Sequence, residues 1–160
     1  MKTLKRIVNL SLILLLPIYI NAQTADAFKP IKTKLVPKQV ITGFERLDAP
    51  QVSEWRFLND IYEAKVVQGN LTNYYQFNPE GLYLEKRALQ NWDEDANENL
   101  KETIAKSYHK NSEIVEFYEA TKADGEIYYI VQLREKSNNQ LHTLYLDSDG
   151  GLNGKEKSGY

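Results

Sequence analysis

The chain has no cysteine, one methionine and two histidines in 160 residues. Without cysteine there is no disulfide staple, no thiolate nucleophile, no cysteine zinc site and no cysteine-linked lipid. Stability must come from a hydrophobic core, and the length suits one ordinary domain or two small similar units. His109 and His142 stand alone, outside any HExxH or HxH spacing. Each reads as a solvated or hydrogen-bonded side chain, His109 near a helix end where a positive ring suits the dipole. No serine lies in a GxSxG elbow, and no glycine-rich loop leads into a helix through GKS or GKT. Asp93, Glu94 and Asp95 sit in a polar stretch, whereas general acid–base work needs a carboxyl tuned by burial. Their other use is a charged rim around a partner site. The expectation is a non-enzyme with no cofactor and no bound metal.

Long apolar runs are also scarce. The one present is at the start, where Lys2, Lys5 and Arg6 precede an apolar core from Ile7 to Ile20. Cleavage sites follow after Ala22 or after Ala27, so residues 1–22 read as a secretory signal peptide and the rest as periplasmic or secreted. The run is shorter than the roughly 20 residues a span needs, and no later run is long enough either. Removing the three positive charges of the signal takes the formal net charge from −2 to −5. A mildly acidic remainder argues against nucleic acid and anionic membrane surfaces, which demand basic patches.

What is plentiful is the aromatic, β-branched strand, with eleven tyrosines in the chain. After a loose, flexible lysine-rich lead-in expected over 23–36, Val40, Phe44 and Leu47 recur at helical spacing. Strands are expected over 52–58, 61–67 and 72–77, with a last short run over 82–85. An acidic linker over 91–98 follows. Leu100, Ile104 and Tyr108 then mark a second helix, with Asn97 or Asn99 as its cap, before strands over 114–120, 127–133 and 141–146. Residues 75–81 overlay on 144–150, residues 61–66 on 128–133, and Trp55 on Phe117. The expected fold is therefore α+β: two tandem helix-plus-antiparallel-strand repeats, 37–90 and 99–154, forming a curved antiparallel sheet with helices on one face, and a tail over 155–160.

The motifs are Pro50-x-Val52-x-x-Trp55, Tyr62-Glu63-Ala64 and Phe77-Asn78-x-x-Gly81 in the first half. In the second they are Ile114-x-x-Phe117-Tyr118-Glu119, Asp124-Gly125-x-x-Tyr128-Tyr129 and Tyr145-Leu146-Asp147-x-Asp149-Gly150. With them the chain resembles the PepSY-like, β-lactamase-inhibitor-like domain of exported Bacteroidetes proteins, over about residues 38 to 154. The resemblance implies an exported, non-enzymatic domain and supplies no catalytic residues. One turn departs from the pattern: Asn78-Pro79-Glu80-Gly81 stands where the family has an Asp-Glu/Asn-x-Gly type of turn. β-Lactamase inhibitors of this fold use disulfides, which this chain lacks, so the inhibitory activity does not transfer with the resemblance.

Two surfaces are candidates for function. The first is the loop from Asp147 to Gly154. An EF-hand loop starting at Asp147 has oxygen ligands at Asp147 and Asp149. It then places Gly151, Leu152 and Ser158 where a ligand, a glycine and a bidentate glutamate are required. The loop reads as a turn, leaving Asp147 and Asp149 as weak metal candidates. The second is the sheet face opposite the helices. Alternation puts Arg56, Glu63, Lys65, Tyr74, Gln76, Tyr83, Tyr128, Gln132, Arg134 and Tyr145 there. Tyrosine and arginine are the residues of protein-binding hot spots. Arg56, Tyr74, Tyr83, Tyr128, Arg134 and Tyr145 are therefore the expected contacts to an envelope or extracellular protein, a peptidase being one option. The alternative is a small-ligand or cation-sensing periplasmic domain.

Overall fold

A computed structural model describes residues 27–106 and 111–152, together with the backbone of 157–159. The signal segment, Tyr108 and His109 lie outside the described residues. Nine strands make one antiparallel sheet: β1 (Lys29–Ile31), β2 (Glu54–Leu58), β3 (Ile61–Gln68), β4 (Leu71–Phe77), β5 (Tyr83–Gln90), β6 (Ser112–Lys122), β7 (Ile127–Glu135), β8 (Leu141–Asp147) and β9 (Lys157–Gly159). Their order in space is their order in sequence, a plain meander. Three short helices, α1 (Lys38–Glu45), α2 (Trp92–Asp95) and α3 (Glu98–Lys106), fill two of the connections. Asn97 is the residue that caps α3, its Oδ1 accepting from the Leu100 N–H at 2.9 Å. None of the described helices is long and apolar enough to cross a membrane.

This corrects the α+β expectation of two helix-plus-strand repeats. The fold is largely β, and the segment that overturns the earlier reading is β5. From sequence only 82–85 looked like strand, and Lys86 and Ala88 beyond it are residue types depleted in strands. In the structure β5 runs for eight residues. It pairs with β4 on one side and β6 on the other, so no seam divides the sheet. Without it, β4 and β6 would each present a row of unpaired backbone groups, and satisfying both outweighs local propensity.

The register sets which side chains share a face. On the helix side Trp55, Ala64 and Tyr75 stand in one cross-strand row, and Phe117, Val131 and Leu144 in another. Val40 and Phe44 of α1 close over the first row together with Val66 and Phe77. Leu100 and Ile104 of α3 close over the second together with Leu133 and Leu146. Burying each such side chain contributes about 1.5–3 kcal/mol. Residues 29–36, read from sequence as a loose lead-in, supply β1, a 3-10 turn at Thr33–Leu35 and the buried Val36.

Two turns hold the helices against the sheet. The β4–β5 turn brings Gly81, at φ +81°, so close to α1 that a Cβ there would meet the Gln39 carbonyl oxygen at 2.2 Å. From the helix side, a Cβ on Gly43 would meet the Gly81 oxygen at 2.3 Å. The turn after β8 does the same to α3 through Gly150, at φ +83°. There the Thr103 hydroxyl donates to the Gly150 carbonyl at 2.7 Å. Only glycine combines these backbone angles with such close approach.

Candidate functional site: the sheet face opposite the helices

The strands place a second set of side chains away from the helices. One cross-strand row runs Arg56, Glu63, Gln76, Glu85, Lys122 across five strands. The next runs Lys65, Tyr74, Arg87, Ala120, Tyr128. A third runs Leu89, Tyr118, Ile130, Tyr145.

These rows are locked together by contacts that reach across an intervening strand. The Arg56 guanidinium pairs with Glu63 and lies 4.5 Å from the centroid of the Tyr74 ring, over β3. Tyr74 meets Tyr118 edge-on over β5, with ring centroids 5.9 Å apart. Tyr128 donates its hydroxyl to Glu85 over β6, where the small Ala120 is the residue in register with it. Glu63 accepts a further bond from the Gln76 amide at 2.8 Å, and Glu85 pairs with Arg87 at 2.5 Å. Glu63 is 2% exposed, so both its oxygens need these partners.

The consequence is that this face is closed at its centre. Tyr74 and Tyr128 are each 7% exposed. Burial pushes the Tyr74 hydroxyl above its ordinary pKa, against the opposing pull of Arg56. Burial and hydrogen bonds to carboxylates raise Tyr118 and Tyr128 further, through Glu116 and Glu85 respectively. Arg87 stays charged: burial is the largest single influence and works against it, but Glu85, Tyr128 and Glu63 together outweigh burial and its pKa is raised. Tyr145, stacked on Tyr128 at 6.3 Å, and Arg134 stay half-exposed at the β7–β8 end.

Of the six residues expected on this face, Arg56, Tyr74, Tyr128, Arg134 and Tyr145 stand on it. Tyr83 does not. The register shifts between Gln76 and Phe77, skipping Leu84, so Tyr83 pairs with Phe77 and joins the helix-side core. There burial raises its hydroxyl pKa to about 12. A matching shift in β6 skips Val115. Sequence reasoning missed Tyr118, Glu85, Arg87 and Ala120. Tyr118 was visible in the alternation with Phe117, whereas Arg87 was hidden because β5 was read as too short.

The Asp147 loop is a turn. Asp147 Oδ1 accepts from the N–H groups of Asp149 at 3.0 Å and Gly151 at 2.7 Å. Among the described residues no group of three or more His, Asp or Glu side chains could hold a metal ion. His142 is 9% exposed, with Nε2 3.7 Å from a Glu135 oxygen. Two open depressions of about 480 and 510 Å³ flank the starts of β2 and β6.

No family model matches the chain, and no curated protein matches it. Solved structures share its fold. A DUF2874 family protein from Bacteroides ovatus ATCC 8483 is 14% identical, at a TM-score of 0.63 over 76% of this chain and 86% of that one. A protein from Bacteroides eggerthii DSM 20697, named among "putative periplasmic proteins", is 11% identical, at a TM-score of 0.65 over 77% and 88%. A DUF2874 family protein from Bacteroides uniformis ATCC 8492 is 10% identical, at a TM-score of 0.64 over 76% and 88%. At such identities the likeness is one of fold.

Proposed function

We propose that the chain is an exported, non-catalytic binding domain of the PepSY-like kind, acting in the periplasm or outside the cell. It holds a protein partner on the sheet face opposite the helices. The observation that carries this reading is the locked lattice of Arg56, Tyr74, Tyr118 and Tyr128, which presents half-exposed Tyr145 and Arg134 at its β7–β8 end. A platform already ordered by its own ring contacts and ion pairs loses little side-chain entropy on binding. Tyr145 and Arg134, partly exposed at its edge, are of the residue types enriched in hot spots. Export is supported by the signal-like start of the chain and by the name of the Bacteroides eggerthii neighbour.

The test uses the exposed residues, because truncating buried Tyr74 would disturb the fold itself. Envelope proteins that co-purify with the wild-type protein should be lost with the Tyr145→Ala, Arg134→Ala double variant at unchanged melting temperature. Equal recovery from both would remove this face from consideration.

A further inference from the structure

A second surface lies where the sheet is stepped. The β5–β6 ladder stops at the pair Gln90 and Phe117, and the chain then turns off into α2. β6 begins five residues earlier, at Ser112, and over Ser112–Glu116 it is paired only with β7. Among the described residues no strand lies beside it on the other side. That half-edge forms one wall of the 510 Å³ depression, whose lining includes Leu89, Trp92, Val115 and Asp93. Val115, the residue skipped by the β6 register shift, is 37% exposed, and Leu89 is 36% exposed. An open strand edge beside apolar side chains is the arrangement used to add a peptide as an extra strand.

The charge around the step selects the occupant. Residues 91 to 152 carry thirteen carboxylates against six lysines and arginines, whereas residues 27 to 90 carry seven against nine. Because strand order follows sequence order, this imbalance is spatial, and the step lies at the acidic side of the boundary. Asp93 and Glu116 line the depression itself. A strand laid there meets an apolar side chain and a carboxylate on the face opposite the helices, Leu89 and Glu116, and another such pair in α2, Trp92 and Asp93.

We infer that the stepped edge of β6 binds an extended peptide segment of a partner protein that carries lysine or arginine among apolar residues. The site borders the tyrosine face, sharing Leu89 and Glu116 with it, but is tested through Val115 and Asp93, which the reading of that face does not use. The probe is a capped hexapeptide of alternating valine and lysine, titrated into the whole protein by calorimetry, with a valine–glutamate peptide as the charge control. The expected result is saturable binding of the lysine peptide and none of the glutamate peptide. Affinity should fall at least tenfold with Val115→Lys and with Asp93→Lys, two exposed positions at which the variants are expected to keep the wild-type circular dichroism and melting temperature. Absence of binding up to about 1 mM, or equal affinity in wild type and both variants, would overturn the inference. Sedimentation of the protein alone is run alongside. A dimer abolished by Val115→Lys would assign the step to a second copy instead, and would equally overturn it.

Discussion

The two ends of the sheet solve one packing problem with different residues. Toward the N-terminus the core row is Trp55, Ala64 and Tyr75, with a very small residue between two large rings. Toward the C-terminus it is Phe117, Val131 and Leu144, three residues of more equal size. The helix contacts differ in the same way. Gly43 of α1 lets the Gly81 carbonyl into the space a side chain would fill, whereas Thr103 of α3 meets the Gly150 carbonyl with a hydroxyl. Shape complementarity sets the first end and a hydrogen bond helps set the second. A backbone plan can be kept while the total volume of each row is redistributed among its members.

The sharpest way to break the comparison is at the turn glycines. Gly81→Ala is expected to cost about 3 kcal/mol, because a left-handed φ and a backbone clash at 2.2 Å act together. Gly150→Ala, whose nearest contact is 3.0 Å, should cost about 2 kcal/mol. Urea unfolding of the two variants measures the gap, and equal losses would mean that the two turns are held alike. Next come the middle residues of the rows. Val131→Ala should lose about 2 kcal/mol by leaving a cavity. Ala64→Val should lose a similar amount by overpacking between Trp55 and Tyr75. The double variant then loses roughly the sum, since the two sites belong to separate core clusters. A smaller effect, about 1 kcal/mol, is expected for Thr103→Val through loss of the bond to Gly150. The same denaturation curves would show it.

The mildest difference concerns alkali. A tyrosine whose folded pKa lies above its unfolded value of 10.0 keeps its proton in the native state after the unfolded chain has lost it. Its contribution is therefore complete below about pH 10 and falls as pH rises toward the folded pKa, about 12 for Tyr83. Tyr118→Phe and Tyr128→Phe should flatten the alkaline fall of stability more than Tyr74→Phe, because Tyr74 lacks the hydrogen bond to a carboxylate that adds to burial in the other two. Melting temperatures between pH 8 and about pH 11 test this. A fall as steep in the Tyr118 variant as in wild type would refute it.

Much of the molecule was legible in the chain. Val40, Phe44, Leu100 and Ile104 stood at helical spacing, and the structure buries all four against the sheet. Register decided what alternation could not. One skipped residue at Leu84 moved Tyr83 to the opposite face, and no local signal marks that shift. The exposure of the tyrosine face was equally out of reach. Tyr74 and Tyr128 look like surface tyrosines in sequence, but partners two strands away bury them.

The sequence by itself determined what this protein is made from: a cysteine-free core of strands, helices with one apolar stripe each, and turns marked by glycine. Those follow from periodicity and backbone sterics, which act over a few residues. Only the tertiary structure decided that β5 fuses everything into one sheet, that β6 overruns it to leave an open step, and that the tyrosine face is locked rather than open. Each depends on pairing between distant segments, where satisfying backbone hydrogen bonds and buried charges outweighs what any short stretch prefers.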